Sequence, residues 1–264
     1  MSYFVRTGTR SFRPTEHCSG AWNTEEIHIA PVFGLLAHEL ELNRIARGRD
    51  GMRIARISFD ILGVLPLEEY RTAVTVVRPG KSVELVEAVL SHADRPAVRA
   101  RAWLLDVEDT AAIAGTPEPA LPAPDELEPW DPTTVWAGGM LASIQVRRES
   151  VEPGHARYWL RTDHALLDGE EVSPLARAVG VLDIANGMAV RAAPEAVAYP
   201  NLDLTVHLHR DPQPGWLGFD TRVTFGAPLH AGPDEDMRAL RTGIETCMMK
   251  LDDLRMRLAA PEQT

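Results

Sequence analysis

The sequence predicts an α+β protein built from two similar halves, each with one central helix wrapped by an antiparallel sheet. Three observations support this prediction. A proline-rich segment lies near the middle of the chain, each half contains one apolar pattern with helical spacing, and strand-like alternation follows each helix. A chain of 264 residues has room for one large domain or two small ones, and these patterns favour two.

The composition excludes several classes of protein. The chain is 45% hydrophobic and 25% charged, as in an ordinary soluble globular protein, and no apolar run approaches the ~18 residues of a membrane span. A formal net charge of −11 argues against binding to nucleic acid or to an anionic membrane. The N-terminus has no secretory signal pattern, so we expect a cytoplasmic protein. Cys18 and Cys247 form neither a disulfide framework nor a zinc spacing, so no metal is expected.

The segment from Thr116 to Pro132 separates the halves. It contains six prolines and is acidic. Proline is disfavoured in helices and in central strands, so the segment is typical of an extended linker. We therefore predict an N-terminal unit at residues 1–112, a linker at 113–133 and a C-terminal unit at 134–264.

The first half contains one helix pattern. Apolar residues recur at helical spacing from Ile29 to Leu40, with Pro31 in the first turn and Gly48 after the end. A strand is predicted before it, near Phe4–Phe12. The strands predicted after it are Arg53–Leu62, Tyr70–Val77, Ser82–Leu90 and Ala97–Val107.

The second half repeats this order. Strands are predicted at Met140–Arg148 and His155–His164. A helix then begins at Ser173-Pro174, where serine caps it, and closes at Asn186-Gly187, where glycine can adopt a left-handed conformation. The strands that follow this helix are predicted at Asn201–His209 and Trp216–Phe225.

These last two strands alternate between apolar and polar residues. If their apolar faces pack on the core, Asp203 and Thr224 both lie on the opposite face, where two such sheets can meet. An aspartate on such a face is usually only solvated. Periodicity alone therefore assigns no function to either residue.

Several short strings, in this order, resemble the acyl-CoA thioesterase II (TesB-like) family over about residues 5–225. The resemblance implies a double hotdog, which is two hotdog folds fused in one chain. The strings are Phe12-Arg13-Pro14-Thr15, Trp22-Asn23, Ala55-Arg56-Ile57-Ser58-Phe59-Asp60, Val77-Arg78-Pro79-Gly80-Lys81-Ser82, Asp183-Ile184-Ala185-Asn186-Gly187, Asn201-Leu202-Asp203-Leu204-Thr205, His209-Arg210 and Trp216-Leu217-Gly218.

The resemblance also implies a mechanism. Members of this family are understood to hold and activate a water with an Asp, a Thr or Ser, and a Gln, without an acyl-enzyme. On this chain the resemblance places these residues at Asp203, Thr224 and Gln263. A carboxylate can accept the proton of the water, while a hydroxyl and an amide orient it.

The start of the first helix is the family's expected oxyanion site. Members usually have a glycine pair there, whose N–H groups can donate to the substrate. This chain has Ala30, Val32 and Gly34 in that stretch, and Pro31 between them has no N–H. Arg147, Arg148 and Arg210 are candidates for binding the phosphates of coenzyme A, and solvated strand charges are the favoured interpretation of Arg147 and Arg148.

The leading hypothesis is therefore an acyl-CoA thioesterase of lipid metabolism that hydrolyses fatty acyl-CoA. Coenzyme A enters as part of the substrate, so no separate cofactor is expected, and by fold analogy we expect a homodimer. One alternative is a non-catalytic acyl-CoA or acyl-lipid binding protein on the same fold. A hotdog enoyl-CoA hydratase is disfavoured, because the pattern Asp-X-Asn-Pro-X-His is absent.

Overall fold

The computed structural model describes residues 1–117, 119–196 and 198–225 and the strand Arg257–Leu258. These residues form two largely antiparallel sheets that pack with helices, as the sequence predicts. The buried apolar side chains of both halves belong to one cluster, so the halves share a core. None of the helices in the described ranges combines the length and the apolar character that a membrane span requires.

The first half consists of one long helix and the strands around it. The helix α1 spans Ile29–Ala46, and the strands are β1 (Ser2–Gly8), β2 (Ser11–Pro14), β3 (Met52–Ile61), β4 (Tyr70–Arg78), β5 (Val83–His92) and β6 (Arg95–Asp106). The four strands predicted after the helix are confirmed, with ends shifted by up to two residues. The region near Phe4–Phe12 is a hairpin of two strands rather than one strand, because Thr9 and Arg10 form a turn.

The helix α1 begins and ends where the sequence predicts. Pro31 is its third residue, and Gly48 lies beyond its end with φ +67°, donating its N–H to the Ile45 carbonyl at 2.8 Å. Most of the helix between Ala30 and Leu40 is buried on all sides, not on one stripe only. It lies between the sheet of the first half and a helix from the second.

The second half is built from shorter elements. Its helices are α2 (Gly139–Ala142), α3 (Pro174–Val179) and α4 (Ala185–Met188). Its strands are β7 (Pro129–Trp130), β8 (Ile144–Glu152), β9 (His155–Thr162), β10 (Ala165–Leu167), β11 (Asp203–His207), β12 (Leu217–Arg222) and β13 (Arg257–Leu258).

Two predicted elements of this half are corrected. The strand predicted from Met140 begins only at Ile144, because α2 precedes it. The helix predicted from Ser173 to Gly187 is broken, although the Ser173 hydroxyl does cap its start by accepting the Ala176 N–H at 3.1 Å. It ends at Gly180, and a 3₁₀ turn separates α3 from α4.

Gly187 is not the left-handed terminator that the sequence predicts, because it lies inside α4 and is not among the glycines with positive φ. Its missing side chain makes room for Trp136 instead. The indole N–H of Trp136 donates to the Gly187 carbonyl at 2.9 Å, and a Cβ on Gly187 would lie 3.1 Å from that indole nitrogen.

Two strands of the second half join the sheet of the first half. The eight-stranded sheet has the order β10-β1-β2-β4-β5-β6-β3-β11, so both of its edge strands come from the second half. Strand β11 is antiparallel to β3, with Asp203 opposite Asp60 and His207 opposite Arg56. The second sheet has five described strands in the order β13-β12-β9-β8-β7.

The proline-rich segment is extended and is also docked against the second sheet. Within it, β7 pairs with β8, and the indole N–H of Trp159 donates to the Pro122 carbonyl at 2.8 Å. The segment therefore contributes an edge to the sheet of the second half. The predicted unit boundaries at residues 112 and 133 stay a prediction.

Helices α1 and α3 cross at two glycines. An added Cβ on Gly34 would lie 2.8 Å from the Ala176 carbonyl oxygen and 2.8 Å from the Gly180 Cα. Both neighbours are backbone atoms, which cannot move aside as a flexible side chain can. The missing side chain of Gly34 thus sets the spacing between the two central helices.

We expect Gly34→Ala to lower the free energy of unfolding by about 1–3 kcal/mol, because the methyl group forces the helices apart. Alanine is otherwise favoured over glycine inside a helix, so a loss would report the clash. The measurement is equilibrium unfolding in urea. Gly51→Ala is the matched control, since no atom lies within 4 Å of its added Cβ. Equal stability of Gly34→Ala and the wild type would contradict this close approach.

Candidate functional site

A cavity of about 390 Å³ lies at the start of α1, where the two halves meet. The first half contributes the segment before α1, including His28, and the loop after β3. The second half contributes the region around α4 and the segment Tyr199–Leu202 that leads into β11. The pairing of β11 with β3 places that segment beside the helix start.

Aromatic side chains form one side of the cavity. Trp22 packs edge-to-face on Trp136, with ring centroids 5.0 Å apart, and on Tyr199 at 5.2 Å. Trp22 is 45% exposed, whereas Trp136 is buried. Most of the remaining lining is apolar, and its members include Ala21, Ile27, Ile29, Ile61, Leu62, Val64, Leu65, Leu141, Ile184 and Leu202.

A polar group lies among these apolar residues. The Asn201 side-chain amide donates to Asp183 Oδ1 at 2.8 Å, and the Asn186 amide donates to Asn201 Oδ1 at 2.9 Å. Asp183 is 8% exposed and lies in the 3₁₀ turn before α4. Burial raises the pKa of its carboxyl to about 8, although the Asn201 hydrogen bond opposes the shift. Asp183 is therefore mostly protonated at neutral pH.

His28 caps the first turn of α1. Its Nδ1 accepts the Ala30 N–H at 3.2 Å, so the imidazole is neutral with its proton on Nε2. Burial lowers the pKa of His28 to about 4, which agrees with this neutral form. Protonation of Nδ1 would remove the cap.

Few backbone donors remain free at this helix start. The four N–H groups that a helix leaves unpaired belong here to His28, Ile29, Ala30 and Pro31. The His28 N–H donates to the Cys18 carbonyl at 2.7 Å, Ala30 is bound by the imidazole, and proline has none. Of these four groups, only the Ile29 N–H has no hydrogen-bond partner among the described residues.

The predicted catalytic residues lie in different parts of the fold. Asp203 is the first residue of β11, is exposed, and directly follows two residues that line the cavity. Thr224 is exposed and follows β12, which belongs to the other sheet. Gln263 lies outside the described residues. No hydrogen bond found among those residues joins Asp203 to Thr224, and the three assignments stay predictions.

The predicted oxyanion and substrate residues are buried in α1. Ala30 and Val32 have no exposed surface, Gly34 lies at the helix crossing, and none of the three lines the cavity. Val32 is the fourth residue of the helix, whose N–H pairs with the N-cap carbonyl in a regular helix. Arg210 is exposed beyond the end of β11. The substrate roles of these residues also stay predictions.

Two family comparisons match most of the chain. Residues 19–105 match the acyl-CoA thioesterase N-terminal domain, and residues 108–227 match the acyl-CoA thioesterase C-terminal domain. The chain belongs to the acyl-CoA thioesterase family. A search of curated proteins finds no match for this thioesterase-family chain.

Solved structures with the same fold come from several bacteria. A protein of Novosphingobium aromaticivorans described as a thioesterase has a TM-score of 0.64 at 20% identity, with 86% of this chain and 88% of that chain covered. A hotdog protein of unknown function from Alicyclobacillus acidocaldarius has a TM-score of 0.64 at 14% identity, with 84% of each chain covered. The acyl-CoA thioesterase II TesB2 of Mycobacterium marinum has a TM-score of 0.51 at 13% identity, with 85% and 84% covered. These likenesses confirm the double hotdog fold.

Sequence reasoning missed most of the polar residues of this thioesterase-family cavity. Asp183 is identified only as part of a family string, Asn186 is predicted to end a helix and Asn201 to begin a strand, and His28 is not predicted to line a site. The available signal was an aspartate within an apolar helical pattern, where a charged residue is rarely buried without a partner. The described residues contain no cluster of three or more His, Cys, Asp or Glu side chains arranged to hold a metal ion.

We expect Asp183→Asn to remove a pH dependence of stability. The pKa of Asp183 is raised from 3.8 to about 8 on folding, so in this range the unfolded chain binds fewer protons than the native protein. The stability of the wild type should therefore fall as pH rises from about 4 to about 8, by about 2–4 kcal/mol relative to the variant. Urea unfolding at pH 5, 7 and 9 measures this difference.

Asp125→Asn, which changes an exposed carboxyl on the linker, is the control. The free energy of unfolding of this control should change with pH in the same way as that of the wild type. Parallel profiles for Asp183→Asn and the wild type would show that Asp183 is not protonated in the native protein.

Proposed function

We propose that this chain hydrolyses the thioester of a fatty acyl-CoA by direct attack of water. The observation that carries the proposal is the position of Asp203. This residue directly follows Asn201 and Leu202, and both of those residues line the cavity at the start of α1. A volume of about 390 Å³ and a largely apolar lining suit part of an acyl chain. The family comparisons support thioester chemistry at this fold.

The proposed step needs no covalent enzyme intermediate. Asp203 takes a proton from the water as its oxygen attacks the carbonyl carbon, and the carbonyl oxygen becomes an oxyanion. When the carbon–sulfur bond breaks, the thiolate of coenzyme A leaves and takes up the proton that Asp203 accepted, and the acyl group departs as a carboxylic acid. Thr224 and Gln263 are proposed to orient the water.

Arg210 is proposed to bind a phosphate of coenzyme A. It lies seven residues beyond Asp203, so the two are separated by at most about 25 Å. Arg210 is exposed, and an exposed arginine can donate two parallel hydrogen bonds to the oxygens of a phosphate group. We place the acyl group at the cavity and the nucleotide toward the far end of β11.

We expect Asp203→Asn to lower kcat for thioester hydrolysis by about 10²–10⁴, because an amide cannot accept the proton. The assay is the release of free coenzyme A from acyl-CoAs of graded chain length. Unfolding in urea should show that the variant is as stable as the wild type, since Asp203 is exposed. Asp125→Asn serves as the carboxyl control. Full activity in Asp203→Asn would contradict the proposed role of Asp203 as the base.

One observation favours the non-catalytic alternative. The start of α1 offers a single free N–H, whereas oxyanion sites usually combine two or more donors. A protein that binds acyl-CoA without hydrolysing it would need no such donors. Tight binding in calorimetry together with no release of coenzyme A by the wild type would select this alternative.

A further inference from the structure

The start of α1 offers the cavity one unpaired backbone donor among the described residues, whereas oxyanion sites usually combine two or more. The oxyanion formed in the proposed reaction requires hydrogen-bond donors that are already in position. Pro31 and the His28 cap leave only the Ile29 N–H at the helix start. A second donor must come from another side of the cavity.

Asp183 lies on such a side. It lines the cavity, and its Oδ1 accepts the Asn201 amide. Its Oδ2 has no hydrogen bond from the described residues, yet it is not among the fully buried atoms left without a partner. The second carboxyl oxygen therefore keeps some access to the space where a ligand would lie.

The surroundings of Asp183 keep its carboxyl neutral. Its hydrogen-bond partner Asn201 is uncharged, and burial raises its pKa to about 8. The other titratable residues that line the cavity are Glu26, His28 and Tyr199, and His28 is held neutral by its cap. No arginine or lysine lines this cavity within the described ranges. A buried acid without a cationic partner keeps its proton and can donate it in a hydrogen bond.

We propose that Asp183, in its protonated form, donates a hydrogen bond to the carbonyl oxygen of the bound acyl group and stabilises the oxyanion. The inference rests on the proposed function and adds a catalytic residue to it. Asn201 and Asn186 act as positioning residues, because their chain of hydrogen bonds leaves Oδ2 as the oxygen free to carry the proton. Asp183 and the Ile29 N–H together supply two donors. No proton leaves Asp183 during the reaction.

The first experiment compares the pH profiles of kcat. The neutral acid assists the oxyanion, whereas the carboxylate repels it, so wild-type activity should fall as pH rises through about 8. Asp183→Asn keeps a donor that cannot ionise. It should retain activity within about tenfold of the wild type and lose the alkaline fall. Thioester absorbance is the readout, because it does not depend on ionisation of the released thiol.

Asp183→Leu removes the donor. Its kcat should fall by about 10²–10³ with little change in KM, as for the loss of one oxyanion donor. Urea unfolding checks that each variant is folded. Asp125→Asn should keep both the wild-type kcat and its pH profile. An unchanged kcat in Asp183→Leu, or an alkaline fall that persists in Asp183→Asn, would overturn the inference.

The second experiment does not depend on turnover. A 2-oxoalkyl-CoA carries a ketone near the position of the thioester carbonyl and cannot be hydrolysed, and an S-alkyl-CoA of equal length has no carbonyl. The wild type should bind the ketone about three- to tenfold more tightly, and Asp183→Leu should lose most of this preference, because only the Ile29 N–H remains as a donor. Calorimetry at pH 7 measures both affinities.

The two experiments separate the inference from the proposed function. A wild type that releases no coenzyme A would end the thioesterase proposal, whereas the ketone preference and its loss in Asp183→Leu would still show the donor. If the wild type binds the two analogues with equal affinity, the proposed hydrogen bond from Asp183 to the carbonyl oxygen is contradicted, even if the protein hydrolyses acyl-CoA.

Discussion

The antiparallel pairing of β11 with β3 is the contact on which the cavity depends. It joins a strand of the second half to the sheet of the first, with five residues of each strand in register. This pairing carries Asn201 and Leu202 to the start of α1, so neither half alone contains the cavity. The crossing of α1 over α3 at Gly34 and Gly180 fixes the other side of the same arrangement. A shift in the β11–β3 pairing or in the α1–α3 crossing would move the cavity residues of the second half away from those of the first half.

The start of α1 shows how local sequence alters the chemistry of a shared fold. A helix start normally presents several unpaired N–H groups, which together favour negative charge. Here proline removes one, an imidazole occupies another, and the Cys18 carbonyl binds a third. These features stabilise the helix and also reduce its capacity to bind an oxyanion. A side-chain donor nearby resolves this conflict without changing the fold.

Periodicity located most strands and both central helices, because each of these elements packs against the shared core. It did not reveal the break at Gly180, since Leu175, Ala178, Leu182 and Ala185 keep helical spacing on both sides of it. The alternation of apolar and polar residues in β11 and β3 also does not reveal that these two strands pair. The family strings that contain Trp22, Asp183 and Asn201 all reach the cavity, but neither they nor the periodicity show that these residues meet. The burial of Asp183 depends on the broken helix, which the helical spacing does not predict.

Two aspartates beside one cavity have opposite environments, and this difference suggests separate roles. Asp203 is exposed at a strand end, where water solvates a carboxylate, whereas Asp183 is buried with one amide partner. A base must be ionised to accept a proton, and a donor must be protonated to stabilise an oxyanion. Burial thus lets the same side-chain type supply both functions at one pH. Asn201 connects the two aspartates, because its amide binds Asp183 while its backbone leads directly into the strand that carries Asp203.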